Sequence, residues 1–547
     1  MNRFAGLIDR LGYEPTRENK LRLMVDYFRT TPDPERGYAL AVLTRALSFP
    51  RAKPNLVRAL VTARTDPYLF ALSLDYIGDL LETTALLWPA PDEDVGTAPT
   101  LSEIITRLQS AGKLDLPGLL AAWLDALDEN GRWALLKLVT GSLRIGVSAR
   151  LAKTAVAELG GKAAHEIEEV WHGSQPPYLD LFAWVEGREG KPDSRNPAPF
   201  CPAMLAHTLN EQDLATLDIA DFAAEWKWDG IRVQASRGVD AAGATVVRLY
   251  SRAGEDMSAA FPDLAGVLAA LPWQQFSLDG ELLVVRDGFA QDFGQLRQRL
   301  DRRAVAAKLL AEFPAHIRAY DLLSLEGQDL RALPFCARRA KLAAFVEDAA
   351  SPRLDLSALL PFASWNDLAF ARKNPAEAGA GGDAGAIEGV MLKRLDSIYV
   401  PGRPDGQWYK WKRDPFTVDA VLMYAQHGHG GRSPFYADFT FGVWREEASV
   451  LGLVPIGKVN SGITDDNLAL LDAFVRDNII NRFGPVREVA HGPATGLVVE
   501  ITFEGPARSA RHKSGIALRF PRVSRIRRDK PAGEADRIEA LEALLRG

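Results

Sequence analysis

The chain is organised around one stretch of ten residues, Ala224-Glu225-Trp226-Lys227-Trp228-Asp229-Gly230-Ile231-Arg232-Val233. Bulky residues alternate up to an Asp-Gly pair, which predicts a strand, a tight turn and a second strand, that is, a β-hairpin. Side chains two apart on a strand share a face, so Glu225 and Lys227 are predicted to point one way and the two tryptophans the other. A lysine that its neighbours keep partly desolvated becomes a usable nucleophile. Taken alone, however, this stretch fits a solvated lysine on an edge hairpin better.

Composition places the chain among soluble globular proteins. Its 547 residues suffice for three or four domains, and it is 47% hydrophobic and 25% charged. No segment has signal-peptide or membrane-spanning character, so we expect no membrane partner. The two cysteines, Cys201 and Cys336, lie far apart. They exclude a disulfide framework and a four-cysteine zinc site, and they indicate a reducing, cytoplasmic setting.

Positive charge is concentrated in two islands of an otherwise acidic chain, whose net charge is −6. Residues 131–157 contain five Lys or Arg and no Asp or Glu, and residues 505–530 contain nine against a single acid. Two basic islands near opposite ends are what a clamp on a polyanion needs. Either island alone fits a solvated basic face equally well.

The pattern of hydrophobic residues changes along the chain and predicts a multidomain protein. Leucine and alanine at helical spacing predict an all-α domain over residues 1–190, and a Gly-, Pro- and Asn-rich linker follows. Short β-rich runs alternating with helical ones predict an α+β domain over residues 200–413. Short strands and glycines predict an all-β barrel over residues 415–530. Residues 531–547 have helical spacing and form a predicted helical tail.

One helix start in the first domain has the features of an anion site. Ser148 is a good N-cap, and the helix after it is predicted to end at Leu159, before two glycines. Free backbone amides at such a start, with Arg144 and Arg150 beside them, would bind a phosphate. A plain junction between helices of a bundle explains the segment as well.

Polar groups recur on otherwise apolar predicted strands after residue 225. Burying them is costly unless they converge on a ligand. Two glutamates, an arginine at a strand end, an aromatic residue beside an acid, and a pair of lysines follow the stretch around Lys227. They are Glu281, Glu388, Arg252, Tyr320, Lys410 and Lys412.

This set of residues predicts nucleotidyl transfer. Lys227 would attack the α-phosphorus of a nucleoside triphosphate and expel pyrophosphate, leaving a phosphoramide. The two glutamates would hold Mg²⁺, the paired lysines would clamp the phosphates, and Tyr320 would stack on the purine.

The order of these motifs resembles that of the ATP-dependent DNA ligases, members of the covalent nucleotidyltransferases. The compact length looks most like a bacterial or archaeal ligase. The motifs are Lys227-x-Asp-Gly-x-Arg232, Ser251-Arg252, Asp279-Gly280-Glu281, Tyr320-Asp321, Glu388-Gly389 with Lys393, Lys410-x-Lys412, and Arg519-Phe520-Pro521-Arg522 running to Lys530.

The resemblance implies a helical DNA-binding domain, an adenylation domain and an oligonucleotide-binding (OB-fold) barrel, in that order. It implies ATP as the AMP donor, Mg²⁺ with Mn²⁺ as an alternative, and nicked double-stranded DNA as the partner of a monomeric enzyme in the cytoplasm, at the nucleoid. AMP passes from ATP to Lys227, then to the 5′-phosphate of a nick, and leaves when the 3′-hydroxyl attacks that phosphate.

Residue roles are carried over on the matching motifs. Glu225 is expected to contact adenine, Tyr320 to stack on it, Glu281 to contact the ribose or a metal, and Glu388 to bind the metal. The resemblance implies contacts to the ribose and phosphates of the nucleotide by Arg232, Arg252, Arg403, Lys410 and Lys412. Relatives often have an arginine at the position of Pro404, and Arg403 is the residue next to it. Arg144 and Arg150 are expected to bind DNA, and Arg527 and Asp529 to orient pyrophosphate in the first step only. Strand alternation puts Lys393 on the face opposite Glu388 unless a bulge intervenes, so the role of Lys393 stays open.

Three other classes of protein are alternatives to an ATP-dependent DNA ligase. An RNA ligase or capping-type nucleotidyltransferase shares the motifs but needs no helical domain ahead of them. An NAD⁺-dependent DNA ligase is disfavoured because its zinc module requires four cysteines. A nick-binding protein without catalysis is expected to have lost Lys227, Glu281 or Glu388, and all three are present.

Overall fold

The computed structural model describes the chain apart from residues 48, 50–52, 91–95, 113, 144, 193–195, 301–304, 428–435, 448–449, 461–462, 510–511 and 546–547. A helical N-terminal region comes first, followed by two regions built on β-sheets. None of the helices in the described residues is long and apolar enough to cross a membrane.

In its described residues the N-terminal region contains twelve helices around one apolar core, in which Phe28 and Phe182 meet edge to face at 5.7 Å. Ser148 caps a helix as expected, since its side chain accepts a hydrogen bond from the Leu151 amide at 3.1 Å. The helices are α1 Asn2–Tyr13, α2 Arg17–Thr30, α3 Glu35–Leu43, α4 Pro54–Thr62, α5 Pro67–Ile77, α6 Leu80–Leu87, α7 Leu101–Ser110, α8 Leu116–Ala126, α9 Glu129–Thr140, α10 Ala149–Leu159, α11 Ala164–Trp171 and α12 Leu179–Val185.

The middle region contains two separate sheets with helices around them. Its strands are β1 His207–Thr208, β2 Phe222–Trp228, β3 Ile231–Val239, β4 Thr245–Ser251, β5 Phe276–Arg286, β6 Phe289–Ala290, β7 Ala315–Leu325, β8 Gln328–Asp329, β9 Leu354–Leu356, β10 Leu359–Leu360, β11 Ile387–Arg394 and β12 Trp408–Lys412. Its helices are α13 Pro262–Ala269, α14 Phe293–Arg297, α15 Ala307–Glu312, α16 Phe335–Ala349 and α17 Trp365–Lys373. The first sheet has the order β1-β12-β11-β2-β10, and the second has the order β4-β3-β5-β7-β8 with β6 and β9 attached.

The prediction of a hairpin at Asp229-Gly230 is wrong. Both strands form, but β2 pairs with β10 and β11 whereas β3 pairs with β4 and β5, so the two residues carry the chain from one sheet to the other. The Asp229 amide donates to the Ala386 carbonyl at 2.7 Å rather than across a hairpin. A Cβ at Gly230 would lie 2.5 Å from the Leu282 carbonyl oxygen, so glycine is required by close approach to β5. The crossing leaves a cleft between the sheets.

The C-terminal region contains a seven-stranded sheet with the order β15-β14-β13-β17-β16, to which β18 and β21 are added, and a two-stranded sheet of β19 and β20. Helix α19 places Ile538 and Leu541 in the core of this region, so the helical tail packs on it. The strands are β13 Phe416–His427, β14 Tyr436–Glu447, β15 Val450–Val459, β16 Ile479–Phe483, β17 Val486–Val489, β18 Val498–Phe503, β19 Gly505–Arg508, β20 Ile516–Arg519 and β21 Arg522–Ile526, and the helices are α18 Asp465–Asp477 and α19 Ile538–Leu544.

Candidate active site

A cavity of about 520 Å³ opens between the two sheets of the middle region. Strands β2, β11 and β12 of the first sheet and β3, β5 and β7 of the second contribute side chains to its wall. Every residue predicted from the sequence to bind nucleotide or metal lines it: Glu225, Lys227, Arg232, Arg252, Glu281, Tyr320, Glu388, Arg403, Lys410 and Lys412.

Lys227 lies on β2 with its side chain 19% exposed. Its ammonium group donates a hydrogen bond to one oxygen of Glu388, and the other oxygen of Glu388 lies 3.1 Å from Lys412 Nζ. Burial by itself raises the pKa of Glu388, but the charges of the two lysines outweigh it and hold that pKa below its usual value. Glu388 is therefore ionised and oriented toward the lysine.

Lys393 lies in the same cavity because β11 is irregular. The register of β11 against β2 shifts between Ile387 and Gly389, and Gly389 has φ +147°, a conformation that favours glycine. This is the bulge that the alternation argument required. With it, Glu388 and Lys393 both reach the cavity wall.

The Lys393 ammonium is fully buried among predicted nucleotide ligands. It lies 3.2 Å from Glu225 Oε1, donates to the Tyr320 carbonyl at 3.3 Å, and sits 4.4 Å from the centre of the Tyr320 ring. Burial lowers its pKa, and the charge of Glu225 opposes that shift. Glu225 is itself 2% exposed, so its carboxylate depends on this pairing, with Arg339 at 3.8 Å as a second cation.

Arg232 already has protein partners. Its guanidinium donates to Asp279 at 2.6 Å, to the Tyr399 hydroxyl at 3.1 Å and to the Met204 carbonyl at 2.5 Å. These contacts fix the arginine in the wall, with its charge about 6.0 Å from the Tyr320 ring. Its expected contact with the nucleotide is therefore limited to the donors that these partners leave unused.

Glu281 and Glu388 are suitable ligands for a divalent cation. Burial raises the pKa of Glu281 to about 8, and the neighbouring charge of Glu388 adds to the effect while that of Lys227 opposes it. The described residues contain no group of three His, Cys, Asp or Glu able to hold a metal. Mg²⁺ typically binds to one or two carboxylates together with substrate phosphates and water, and the two glutamates fit that pattern.

The C-terminal region reaches the rim of the cavity through Arg519 and Glu504. Arg519 donates to both oxygens of Asp229, at 2.9 Å for the Nη2 to Oδ1 pair, and Glu504 accepts from Lys412 at 2.9 Å. Arg527 and Asp529, predicted to orient pyrophosphate, are not among the residues that line the cavity and are paired with each other. The structure thus brings a different arginine of the last motif to the site.

The first basic island carries less available charge than its composition suggests. Lys153 is buried, with its ammonium 4.6 Å from the centre of the Trp171 ring, and burial lowers its pKa to about 8. Arg132 donates to the Leu124 carbonyl at 2.7 Å, and Lys137 pairs with Asp79 at 2.7 Å. Arg150 is exposed in the first turn of α10, and Arg144 lies outside the described residues.

Sequence reasoning left four contributors to the site without a role: Lys393, Asp229 as an acceptor, Arg519 and Glu504. Lys393 and Arg519 stand inside motifs that were recognised, so the signal existed without a partner to explain it. Asp229 and Glu504 gave no separate signal, because their partners lie far away in the sequence.

A lysine held against a glutamate, with further cations and a second glutamate in one cavity, defines a covalent nucleotidyltransferase. Comparison with known proteins identifies which kind. The family described as "ATP dependent DNA ligase domain" matches residues 203–412, and "ATP dependent DNA ligase C terminal region" matches residues 432–530.

Full-length relatives agree with these matches. A "Probable DNA ligase" of Anaeromyxobacter dehalogenans (strain 2CP-C) is 35% identical over 85% of this chain and 88% of its own length. "DNA ligase 1" of Korarchaeum cryptofilum (strain OPF8) is 28% identical over 100% of this chain and 98% of its own. The solved structure titled "Pmar-Lig_PreS3" shares the fold, with a TM-score of 0.54 and 15% identity over 96% of this chain and 99% of that one.

The chain belongs to the ATP-dependent DNA ligases. It is an enzyme that takes AMP from ATP and seals nicked DNA, with Mg²⁺ as the usual metal of the family.

Proposed function

We propose that Lys227 is the residue that carries AMP and that the cavity between the two sheets is the adenylation site. The observation that supports this most directly is the hydrogen bond from the Lys227 ammonium to Glu388 inside a cavity lined by six further cationic side chains, among them Arg252, Arg403, Lys410 and Lys412. The positive charge of these side chains suits the negative charge of a triphosphate.

In the first step, the Lys227 ammonium gives one proton to the Glu388 carboxylate that accepts its hydrogen bond, the neutral nitrogen bonds to the α-phosphorus of ATP, and its second proton passes to solvent. The bond from that phosphorus to the bridging oxygen of the β-phosphate breaks, and pyrophosphate leaves with the electron pair. Lys410 and Lys412 hold the phosphates while charge moves onto the leaving group. Glu281 and Glu388 would hold Mg²⁺ or Mn²⁺, which when bound would neutralise charge on the phosphate oxygens.

Adenine binds against Tyr320, whose ring stacks on the base, with the Glu225 carboxylate accepting from its exocyclic amine. Lys393 pairs with that carboxylate and holds it in place, because a buried carboxylate without a partner is costly. Arg232, held by Asp279, contacts the ribose or phosphates with its remaining donors. Pairing of Glu225 with Lys393 at 3.2 Å supports this assignment.

In the second and third steps, AMP moves from Lys227 to the 5′-phosphate of the nick, and the 3′-hydroxyl attacks that phosphate and releases AMP. Arg527 and Asp529 orient pyrophosphate in the first step only, which requires the C-terminal region to move between steps. Their position away from the cavity, with Arg519 at its rim instead, is consistent with an arrangement that follows adenylation.

The domains proposed are a helical DNA-binding domain over residues 1–190, an adenylation domain over 200–413, an OB-fold barrel over 415–530 and a helical tail over 531–547. Arg144 and Arg150 contact the phosphates of the nicked duplex. We propose a monomer that works in the cytoplasm, at the nucleoid and without a membrane partner.

A comparison of two substrates tests the assignment of Lys227. The Lys227→Ala protein should fail to seal an ordinary nick with ATP. It should still seal a nick that already carries AMP on its 5′-phosphate, because that substrate does not require AMP transfer through Lys227. Sealing of the ordinary nick by this variant would remove Lys227 from the mechanism. Nicks in RNA and labelling with GTP, tested in parallel, separate a DNA ligase from an RNA ligase or a capping-type enzyme.

A further inference from the structure

Asp419 binds two cations of the last motif at one oxygen. It lies on β13, and its Oδ2 accepts hydrogen bonds from Arg527 Nη1 at 3.1 Å and from Lys530 Nζ at 2.8 Å. The aspartate side chain is 12% exposed and each cation 20%. Its other oxygen, Oδ1, is buried and has no hydrogen-bond partner among the described residues. A carboxylate left half-satisfied in this way costs stability, so its pairing with the two cations calls for a reason beyond folding.

The backbone on either side of Asp419 is rigidly held. Its amide donates to Asp536 Oδ2 at 2.8 Å, and its carbonyl accepts from the Asp536 amide at 2.8 Å. Strand β13 pairs with β18, where Asp419 stands opposite Glu500, and β18 pairs in turn with β21, which leads into Arg527. The acceptor therefore has a fixed position relative to the segment that carries both cations.

Three other carboxylates face the two cations. Asp529 accepts three hydrogen bonds from Arg527, Glu500 lies 4.0 Å from Arg527, and Asp536 lies 4.0 Å from Lys530. Of these four carboxylates, counting Asp419, only that of Asp419 is within hydrogen-bond distance of both cations.

We propose that Asp419 is a positioning residue for the first step, which holds Arg527 and Lys530 side by side as a preformed site for pyrophosphate. This rests on the proposed role of Arg527 in orienting pyrophosphate. Two long cationic side chains repel each other and lose rotamer entropy when they bind one anion. Because Asp419 holds both side chains together before ATP binds, their repulsion and loss of entropy do not oppose the binding of pyrophosphate.

Separate measurement of the steps tests this. In single turnover, Asp419→Asn should slow the transfer of AMP from ATP to Lys227 roughly tenfold or more, and should slow the reverse reaction of the adenylated enzyme with pyrophosphate similarly. Sealing of a nick that already carries AMP should stay within about twofold of the unaltered enzyme, because no pyrophosphate takes part. An unchanged or faster transfer of AMP would overturn the proposal, and so would an equal loss in all three assays.

Asp472→Asn is the matched control. Asp472 is also a barely exposed aspartate of the C-terminal region that pairs with an arginine, Arg476, at 2.6 Å, but it belongs to α18. It should lower stability without separating the three rates. If Asp419→Asn does not fold, Lys530→Met keeps the test, since loss of one of the two clamped cations should produce the same division between the steps.

Arg527→Ala, measured alongside, distinguishes two failures. If it leaves AMP transfer unchanged, the pyrophosphate role of Arg527 is wrong. If it slows transfer and Asp419→Asn does not, only the positioning role of Asp419 is wrong.

Discussion

Arg519 donates to both carboxylate oxygens of Asp229, which stands two residues after Lys227. The two partners are 290 residues apart in sequence, and the contact joins the C-terminal region to the rim of the cavity. The guanidinium also lies over the Phe293 ring, 5.1 Å from its centre. This arrangement keeps Arg519 at the site while Arg527 stays away from it.

Loss of the Arg519 contact should affect the later steps most. Arg519→Ala removes the bond to Asp229 and is expected to slow sealing of a nick that already carries AMP about tenfold, with AMP transfer to Lys227 within about threefold of the unaltered enzyme. Arg525→Ala is a suitable control, since Arg525 is 60% exposed and pairs with Glu500 at 3.1 Å. Equal effects of Arg519→Ala on both steps would contradict the assignment of this contact to an arrangement that follows adenylation.

Lys393 should matter for recognition of the base. Lys393→Met leaves Glu225 with the more distant Arg339 as its cationic partner, so we expect a loss of about 3 kcal/mol of stability. We also expect kcat/KM for ATP in the transfer of AMP to Lys227 to drop at least about tenfold. The preference for ATP over GTP should narrow, measured by labelling with each nucleotide. Glu225→Gln in the same chain should add little further loss, because both changes break one interaction. Fully additive losses would show that the two residues act separately.

Arg150 and Arg144 are expected to contact DNA phosphates. Reversal of both charges to Glu should weaken binding to a nicked duplex and reduce the slope of log K against log salt by about one unit per lost contact. Lys153→Met is the informative comparison, because Lys153 is buried against Trp171 and should affect stability but not the slope. Parallel salt plots for the unaltered enzyme and the charge-reversed one would exclude both arginines from the interface.

His172 makes stability depend on pH. It packs against Phe200 and Tyr250, at 5.8 and 4.7 Å between ring centres, where the helical region meets the middle region. Burial first, and then the charge of Lys153, lower its pKa from 6.5 to about 4, and Asp256 opposes the shift. Between these two pKa values the unfolded chain binds a proton at His172 that the folded chain does not. The contribution of neutral His172 to stability is therefore complete above pH 6.5 and is lost as the pH drops toward 4.

The contribution of His172 should be on the order of 1–3 kcal/mol. Urea unfolding of the unaltered protein and of His172→Phe should be compared at pH 7.5 and pH 4.5, each within roughly one pH unit of one of the two pKa values of His172. The effects of other titrating groups cancel in the difference between the two proteins, which leaves the contribution of His172. The unaltered protein should lose more stability on acidification. An identical loss in the two proteins would rule out His172 as the source.

The sequence was sufficient to predict the residues of the cavity but not the connection at its centre. The strand on either side of Asp229-Gly230 followed from local alternation, whereas the pairing of β2 with β11 and of β3 with β5 depends on segments tens of residues or more away. A hairpin and a crossing between sheets have the same local pattern. The same limit applies to Lys393, whose direction was decided by the bulge at Gly389, and to Lys153, whose positive charge in the composition gave no sign of its burial.

The central claim is that Lys227 carries AMP, and a mass measurement tests it most directly. After incubation with ATP and Mg²⁺ and no DNA, the intact protein should gain the mass of one AMP, and peptide mapping should locate it on Lys227. Addition of pyrophosphate should remove it, and Lys227→Ala should gain nothing. An AMP adduct on another residue, or one that persists in Lys227→Ala, would contradict the account.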